Sequence, residues 1–167
     1  MTHIVVIGAG QAGASLVAKL RNLGHAGQIT LIGAEAAPPY QRPPLSKAYL
    51  LGEMDEERLW LRFPEFYAEH DITLRLGAAV TAIDREAKTV RLGDETLRYD
   101  DLVLTTGAHP RQLPAAIGGT LAGVYTVRTL ADVDAMKPEF APRQAAGRGR
   151  WRLYRAGGGS GGCQAGA

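Results

Sequence analysis

A chain of 167 residues, nearly half of it apolar, is long enough for one globular domain with its own core. No apolar run approaches a membrane-spanning length, and the opening lacks the basic, apolar, small-residue succession of a signal peptide. A cytoplasmic protein without a membrane partner is therefore expected. The formal net charge of +2 conceals two unlike parts: five of the nineteen basic side chains and none of the seventeen acids lie beyond Pro142. Residues 1–142 thus carry fourteen basic against seventeen acidic groups, a mildly acidic body that gives no general case for a nucleic-acid partner. The one cysteine, Cys163, supplies neither a disulfide framework nor a CxxC pair, and no metal site is read from the sequence.

In chain order, residues 3–7 read as a buried parallel strand that runs straight into Gly8-Ala9-Gly10-Gln11-Ala12-Gly13. Glycines at this spacing serve a tight turn, close backbone approach to a pyrophosphate, and close packing of helix on strand. The N-terminus of the following helix offers free N–H groups and a positive dipole end to phosphate. A second strand over residues 28–32 ends just before Glu35, about 20 residues on, where the fingerprint expects an acid for a ribose. A dinucleotide site follows, although Glu35, lying just past the strand end, also reads as a solvated residue.

The first helix is expected over residues 12–23, with Ala14, Leu16, Val17 and Leu20 facing inward and Gly24 as its stop. Residues 36–47 contain four prolines, which argue against regular structure, and Ser46 is expected to cap a short helix through Leu51. A second helix is expected over residues 64–69 and a strand over 72–76. The period then changes to two: residues 80–84, 89–92 and 96–99 read as short antiparallel strands joined by polar turns. Residues 102–105 return to a buried strand leading into Thr106-Gly107, and residues 129–140 form a helix with Asp132 in its first turns and Pro138 disturbing its end.

This order of elements, with Pro39-Tyr40-Gln41-Arg42-Pro43-Pro44-Leu45-Ser46-Lys47, Thr105-Thr106-Gly107 and Val127-Arg128-Thr129-Leu130, resembles the flavin-dependent pyridine-nucleotide oxidoreductases. Within them it is similar to the ferredoxin reductase branch, which includes rubredoxin and putidaredoxin reductases and reductase components of aromatic-ring dioxygenases. The resemblance covers residues 3–142. It implies an α/β fold of Rossmann-like, FAD-binding, three-layer type with a small antiparallel β insertion, here truncated. It also implies an enzyme that takes a hydride from NADH or NADPH onto FAD and passes single electrons to a small iron–sulfur protein, a ferredoxin or rubredoxin. Disulfide reductases of the same fold carry a redox-active cysteine pair where this chain has its proline-rich loop.

By position, the resemblance implies that Gly8, Ala9, Gly10, Gln11, Ala12 and Gly13 hold the FAD pyrophosphate and that Ala34 and Glu35 lie by the adenosine ribose. Lys47 would approach the flavin ring, where an ammonium stabilises negative charge on the reduced flavin; a lone loop lysine is otherwise a solvated one. Arg42 and Arg128 are implied cofactor contacts, Val80 an adenine contact through its backbone, and Thr106 and Gly107 flank the cofactor. Arg128 reads equally well as a surface residue before a helix, and Tyr40 as a packing aromatic. His109 is assigned nothing.

Residues 143–167 hold eight glycines, five arginines and no strand pattern, where a second dinucleotide unit for NAD(P)H is due. At face value they are a disordered basic tail. Read one base later, the codons permitted by residues 143–157 can encode GKRLVVVGGGYIGLE, a strand and a second dinucleotide fingerprint. A frameshift near Pro142–Arg143 is therefore expected, giving a fragment without NADH turnover. Two competing readings are a stand-alone dinucleotide-binding module whose basic tail contacts nucleic acid and an NAD-only Rossmann enzyme; the proline-rich loop and antiparallel insertion disfavour the latter.

Overall fold

The computed structural model describes residues 2–140, so the expectation of a frame-shifted tail lies outside the described residues. Four parallel strands form the central sheet in the order β3 (Ile72–Arg75), β2 (Gln28–Ile32), β1 (His3–Ile7), β7 (Asp101–Leu104). β1 pairs His3 with Gln28 and Ile7 with Ile32 on one side, and Ile4 with Asp101 and Ile7 with Leu104 on the other. Parallel neighbours require crossovers, and α1 (Gln11–Asn22) supplies the one between β1 and β2.

Alternation along β1 and β2 builds three layers. Ile4, Val6, Ile29 and Leu31 face Val17 of α1 and Tyr67 of α2 (Pro64–Glu69). Val5, Ile7 and Ile32 face the opposite way, onto Val90 and Leu92 of a three-stranded antiparallel sheet. That sheet has the order β4 (Val80–Asp84), β5 (Thr89–Leu92), β6 (Glu95–Arg98). Because successive side chains of a strand point to opposite faces, one run of apolar residues serves both interfaces. The insertion is thus the third layer of the fold. Among the described residues no helix is long and apolar enough to cross a membrane.

A further apolar cluster joins the proline-rich loop to α3 (Leu130–Phe140), with Tyr40, Leu45, Tyr49, Leu50 and Leu59 packed on Leu130, Val133 and Met136. Pro138 lies inside α3, which continues to Phe140. At the far end of α1, the Arg21 guanidinium donates to the carbonyls of His25, Gly27, His70 and Asp71 at 2.6–2.8 Å. One side chain thereby ties the end of α1 to the turn between α2 and β3.

The helix expected from a Ser46 cap does not form. Pro43–Ser46 is a single 3-10 turn, a form that tolerates proline at its first positions, and Lys47 leaves it at φ −132° and ψ −115°. The chain then turns through Lys47–Gly52, where Tyr49 and Leu50 are drawn into the cluster against α3 and the Tyr49 hydroxyl donates to Asp134 Oδ1 at 2.7 Å. Tertiary burial of these two side chains outweighs the local helical option. The other elements lie within one or two residues of their expected ends, the usual uncertainty of a frayed terminus.

Candidate dinucleotide site

The turn after β1 shows three glycines with three different surroundings. Gly8 has φ +117°, and a Cβ there would meet the Thr105 carbonyl oxygen at 2.2 Å. At Gly13 a Cβ would meet the Gly8 carbonyl oxygen at 2.1 Å and Thr105 Oγ1 at 2.9 Å, so α1 packs tightly on the turn. Gly10 faces open space, with nothing within 4 Å of its Cβ position. Two glycines are filled by protein and the middle one is left clear.

Gly10 is also the N-cap of α1, with no side-chain cap and no acid in the first turn. A helix of 12 residues thus presents a first turn with no side-chain cap, its residues Gln11 and Ala12 exposed, beside the open space at Gly10. Positive dipole end, free donors and close backbone access are what a diphosphate needs.

The second turn is held against the first. Thr105 donates its N–H to Ile7 O at 2.8 Å and its hydroxyl to Gly8 O at 2.8 Å. Gly107 follows at φ +69°, and the Arg128 guanidinium lies 3.0 Å from where its Cβ would be. Arg128 is held there by the start of α3. Asp132 Oδ2 accepts from the N–H groups of Arg128 (3.0 Å) and Thr129 (2.8 Å), while Thr129 Oγ1 accepts from the Asp132 N–H (3.1 Å), a reciprocal N-terminal cap. Thr106 and Gly107 are exposed and Arg128 half-buried.

Beyond β2, Gly33 closes on the fingerprint, since a Cβ there would meet Ala9 Cβ at 2.7 Å. Gly77 N–H donates to Glu35 O at 2.9 Å and Ala78 N–H to Gly33 O at 3.0 Å, which brings the approach to Val80 alongside Ala34 and Glu35. Glu35 is no free solvated acid. Its Oε1 accepts from Arg42 Nη2 at 2.5 Å and its Oε2 from the Tyr40 hydroxyl at 2.5 Å. Arg42 Nη1 also donates to the Tyr40 hydroxyl and to the Arg128 carbonyl. Tyr40 is 5% exposed. Burial first, and its bond to Glu35 second, push the phenol above its ordinary range, so it stays protonated and a donor.

Glycine turn, Glu35, Arg42, Gly107 and Arg128 are therefore joined through protein contacts. Lys47 is not part of that network: it is exposed, and its ammonium has no hydrogen-bond or salt-bridge partner among the described residues. Thr105 and Tyr40 were not among the expected site residues. A Thr-Thr-Gly turn carries a hint of the first; of the partners of Tyr40, Glu35 and Arg42 are near in sequence, but Leu130 lies 90 residues on, beyond any local signal. A glycine flanked by two filled ones, a bare helix N-terminus and an acid held just past β2 fit a dinucleotide cofactor.

The sequence profile of the pyridine nucleotide-disulphide oxidoreductases matches residues 2–167. The chain belongs to that family. Among curated members of the family, it is 47% identical over 141 residues to a probable ferredoxin reductase of Castellaniella defragrans, covering 84% of this chain and 34% of that protein. It is also 47% identical over 139 residues to rhodocoxin reductase of Rhodococcus erythropolis, covering 83% and 32%. The chain thus spans about a third of the length of these relatives. Putidaredoxin reductase in covalent complex with putidaredoxin superposes with a TM-score of 0.76 at 42% identity, over 83% of this chain and 34% of that one.

These family members place the fold and the ferredoxin reductase resemblance together. With one cysteine in 167 residues, this member of the family has no cysteine pair in its proline-rich loop. The family match continues through residue 167 and so takes in Gly157-Gly158-Gly159-Ser160-Gly161-Gly162. Its Gly-x-Gly-x-x-Gly spacing is a signal that glycine content alone does not reveal, in a stretch outside the described residues.

Proposed function

We propose that this chain carries the adenosine and pyrophosphate half of the FAD site of a reductase that moves electrons from NADH or NADPH to a small iron–sulfur protein. The observation that carries the reading is Gly10: an open glycine between two occupied ones, in a chain 47% identical over 141 residues to a probable ferredoxin reductase. FAD, when bound, converts a two-electron donor into one-electron output. The protein's share is binding, orientation and charge. Gly8 through Gly13 hold the diphosphate on backbone N–H groups, Ala34 and Glu35 take the ribose, and the Val80 backbone takes the adenine. Arg42 and Arg128 stand as cationic contacts, and Thr106 and Gly107 flank the cofactor. Lys47, whose ammonium has no partner among the described residues, supplies positive charge beside the flavin ring. The absence of a cysteine pair sends the electrons to an external acceptor.

The reading extends to the end of the chain. Either frame puts a glycine fingerprint into residues 143–167, but only the shifted frame puts an apolar strand before it, as the β1 fingerprint has. In the frame as it stands, Arg152-Leu153-Tyr154-Arg155-Ala156 precedes the glycines, with two charges where a buried strand needs none. We infer a shift of the reading frame near Pro142, ahead of the glycine-rich stretch. The test compares the 167-residue chain with one expressed from DNA restored to the shifted frame, using NADH and ferricyanide. Sustained turnover by the restored chain and none by the 167-residue chain is expected. Sustained turnover by the 167-residue chain, or a shifted frame that closes within a few codons, overturns the reading.

A further inference from the structure

The Tyr40 hydroxyl uses all of its hydrogen-bonding capacity on three different parts of the fold. It donates to Glu35 Oε2 at 2.5 Å, at the end of β2. It accepts from Arg42 Nη1 at 3.1 Å, in the proline-rich loop, and from the Leu130 N–H at 2.9 Å, at the first turn of α3. A phenol offers one donor and two acceptor positions, and here none is left over. The Glu35 carboxylate is correspondingly gripped at both oxygens, by Tyr40 on one and Arg42 on the other. With two lone pairs on each oxygen, it keeps capacity to accept from a ribose diol without releasing either partner.

We propose that Tyr40 is a positioning residue for dinucleotide recognition: it sets the Glu35 carboxylate toward the ribose hydroxyls and couples occupancy of that site to the seating of α3. The inference rests on the reading of Glu35 as the ribose acid. A carboxylate on a loop past a strand end has free χ angles, and two fixed donors remove that freedom before ligand arrives. The same hydroxyl satisfies the Leu130 N–H, one of the donors that a helix start leaves unpaired. The neighbouring cap on Thr129 and Asp132 orients Arg128 over Gly107. Movement at Glu35 is thereby felt at the second cofactor turn through a single oxygen atom.

The experiment titrates FAD, and FAD lacking the adenosine 2′-hydroxyl, into the 167-residue chain and its Tyr40→Phe and Glu35→Gln variants, following flavin fluorescence. The wild-type chain is expected to prefer FAD over the deoxy analogue by about tenfold, and both variants to lose that preference. A Tyr40 that only packs weakens both ligands equally and leaves their ratio unchanged. If Glu35→Gln loses the preference and Tyr40→Phe keeps it, the positioning role is overturned while the ribose reading stands. If Glu35→Gln also keeps it, the ribose reading fails and the inference falls with it. Should Tyr40→Phe not fold, hydrogen exchange at the Leu130 amide of the wild-type chain decides the matter. FAD is expected to slow that exchange, and exchange unchanged by saturating FAD overturns the coupling.

Discussion

Gly10 and Gly13 are three positions apart, yet a methyl group meets opposite fates at them. At Gly13 it would sit 2.1 Å from the Gly8 carbonyl oxygen, against backbone that has no easy way to yield. Gly13→Ala is therefore expected to cost on the order of 3 kcal/mol of stability, as overpacking of a tight contact does, and to lower the melting temperature with or without flavin. Circular dichroism melts check it; a Gly13→Ala protein that melts with the wild type contradicts the tight packing of α1 on the turn. Glu35 and Tyr40 show how the reading of single residues from sequence runs out. The fingerprint spacing expects an acid where Glu35 stands, whereas an aromatic in a proline-rich loop reads only as packing. The Tyr40 hydroxyl reaches Leu130, 90 residues on, and no local pattern records a contact of that span.

Elements were more legible than contacts. Period two over residues 80–98 and unbroken apolar runs at β1 and β2 are set by burial on one or both faces, and both patterns survive into the fold. The failure at Lys47–Leu51 has the opposite cause. There, Tyr49 and Leu50 reach a cluster built with α3, and no local propensity reports a partner that far along the chain. α2 carries a different lesson, because Tyr67 is 1% exposed and its hydroxyl has no hydrogen-bond partner among the described residues. Burial pushes that phenol up to about 12, partly offset by Arg62.

The consequence for stability follows from proton linkage. Between a tyrosine's ordinary value of about 10 and the folded value of about 12, the unfolded chain releases a proton that the folded chain keeps. Stability present below pH 10 is therefore lost as pH rises through that window, and Tyr40, shifted in the same direction, adds to the loss. Tyr67→Phe is expected to flatten the alkaline decline and to be neutral or stabilising by about 1 kcal/mol at pH 7, since an unsatisfied hydroxyl is removed from the core. Thermal melts of both proteins at pH 7, 9 and 11 test this, and an unchanged alkaline slope contradicts it.

At the scale of the whole molecule, the three layers converge at the C-terminal end of β1. The helix layer brings a bare N-terminus, β7 brings Thr105 to the Gly8 carbonyl, and the loop before the antiparallel layer reaches Gly33 and Glu35. That convergence matches the crevice outside the carboxyl ends of parallel strands, where open α/β sheets bind ligands. On the other side, Leu104 of β7 and Leu113, Ile117, Leu121, Val124 and Tyr125 after it are exposed, in a chain that spans about a third of its relatives' length.

In the proposed reading, the glycine turn of β1 receives the FAD pyrophosphate on its backbone. The most direct test is a titration of FAD into the 167-residue chain and its Gly10→Ala variant, read by quenching of flavin fluorescence and paired with melts of both proteins. Nothing within 4 Å opposes the new methyl group, so the variant is expected to keep the wild-type fold within about 1 kcal/mol. FAD is expected to bind the wild-type chain and to bind the variant roughly tenfold or more weakly, because the methyl group occupies the approach of the diphosphate to the backbone. Equal FAD affinity in two folded proteins, or no binding to the wild-type chain, contradicts the claim.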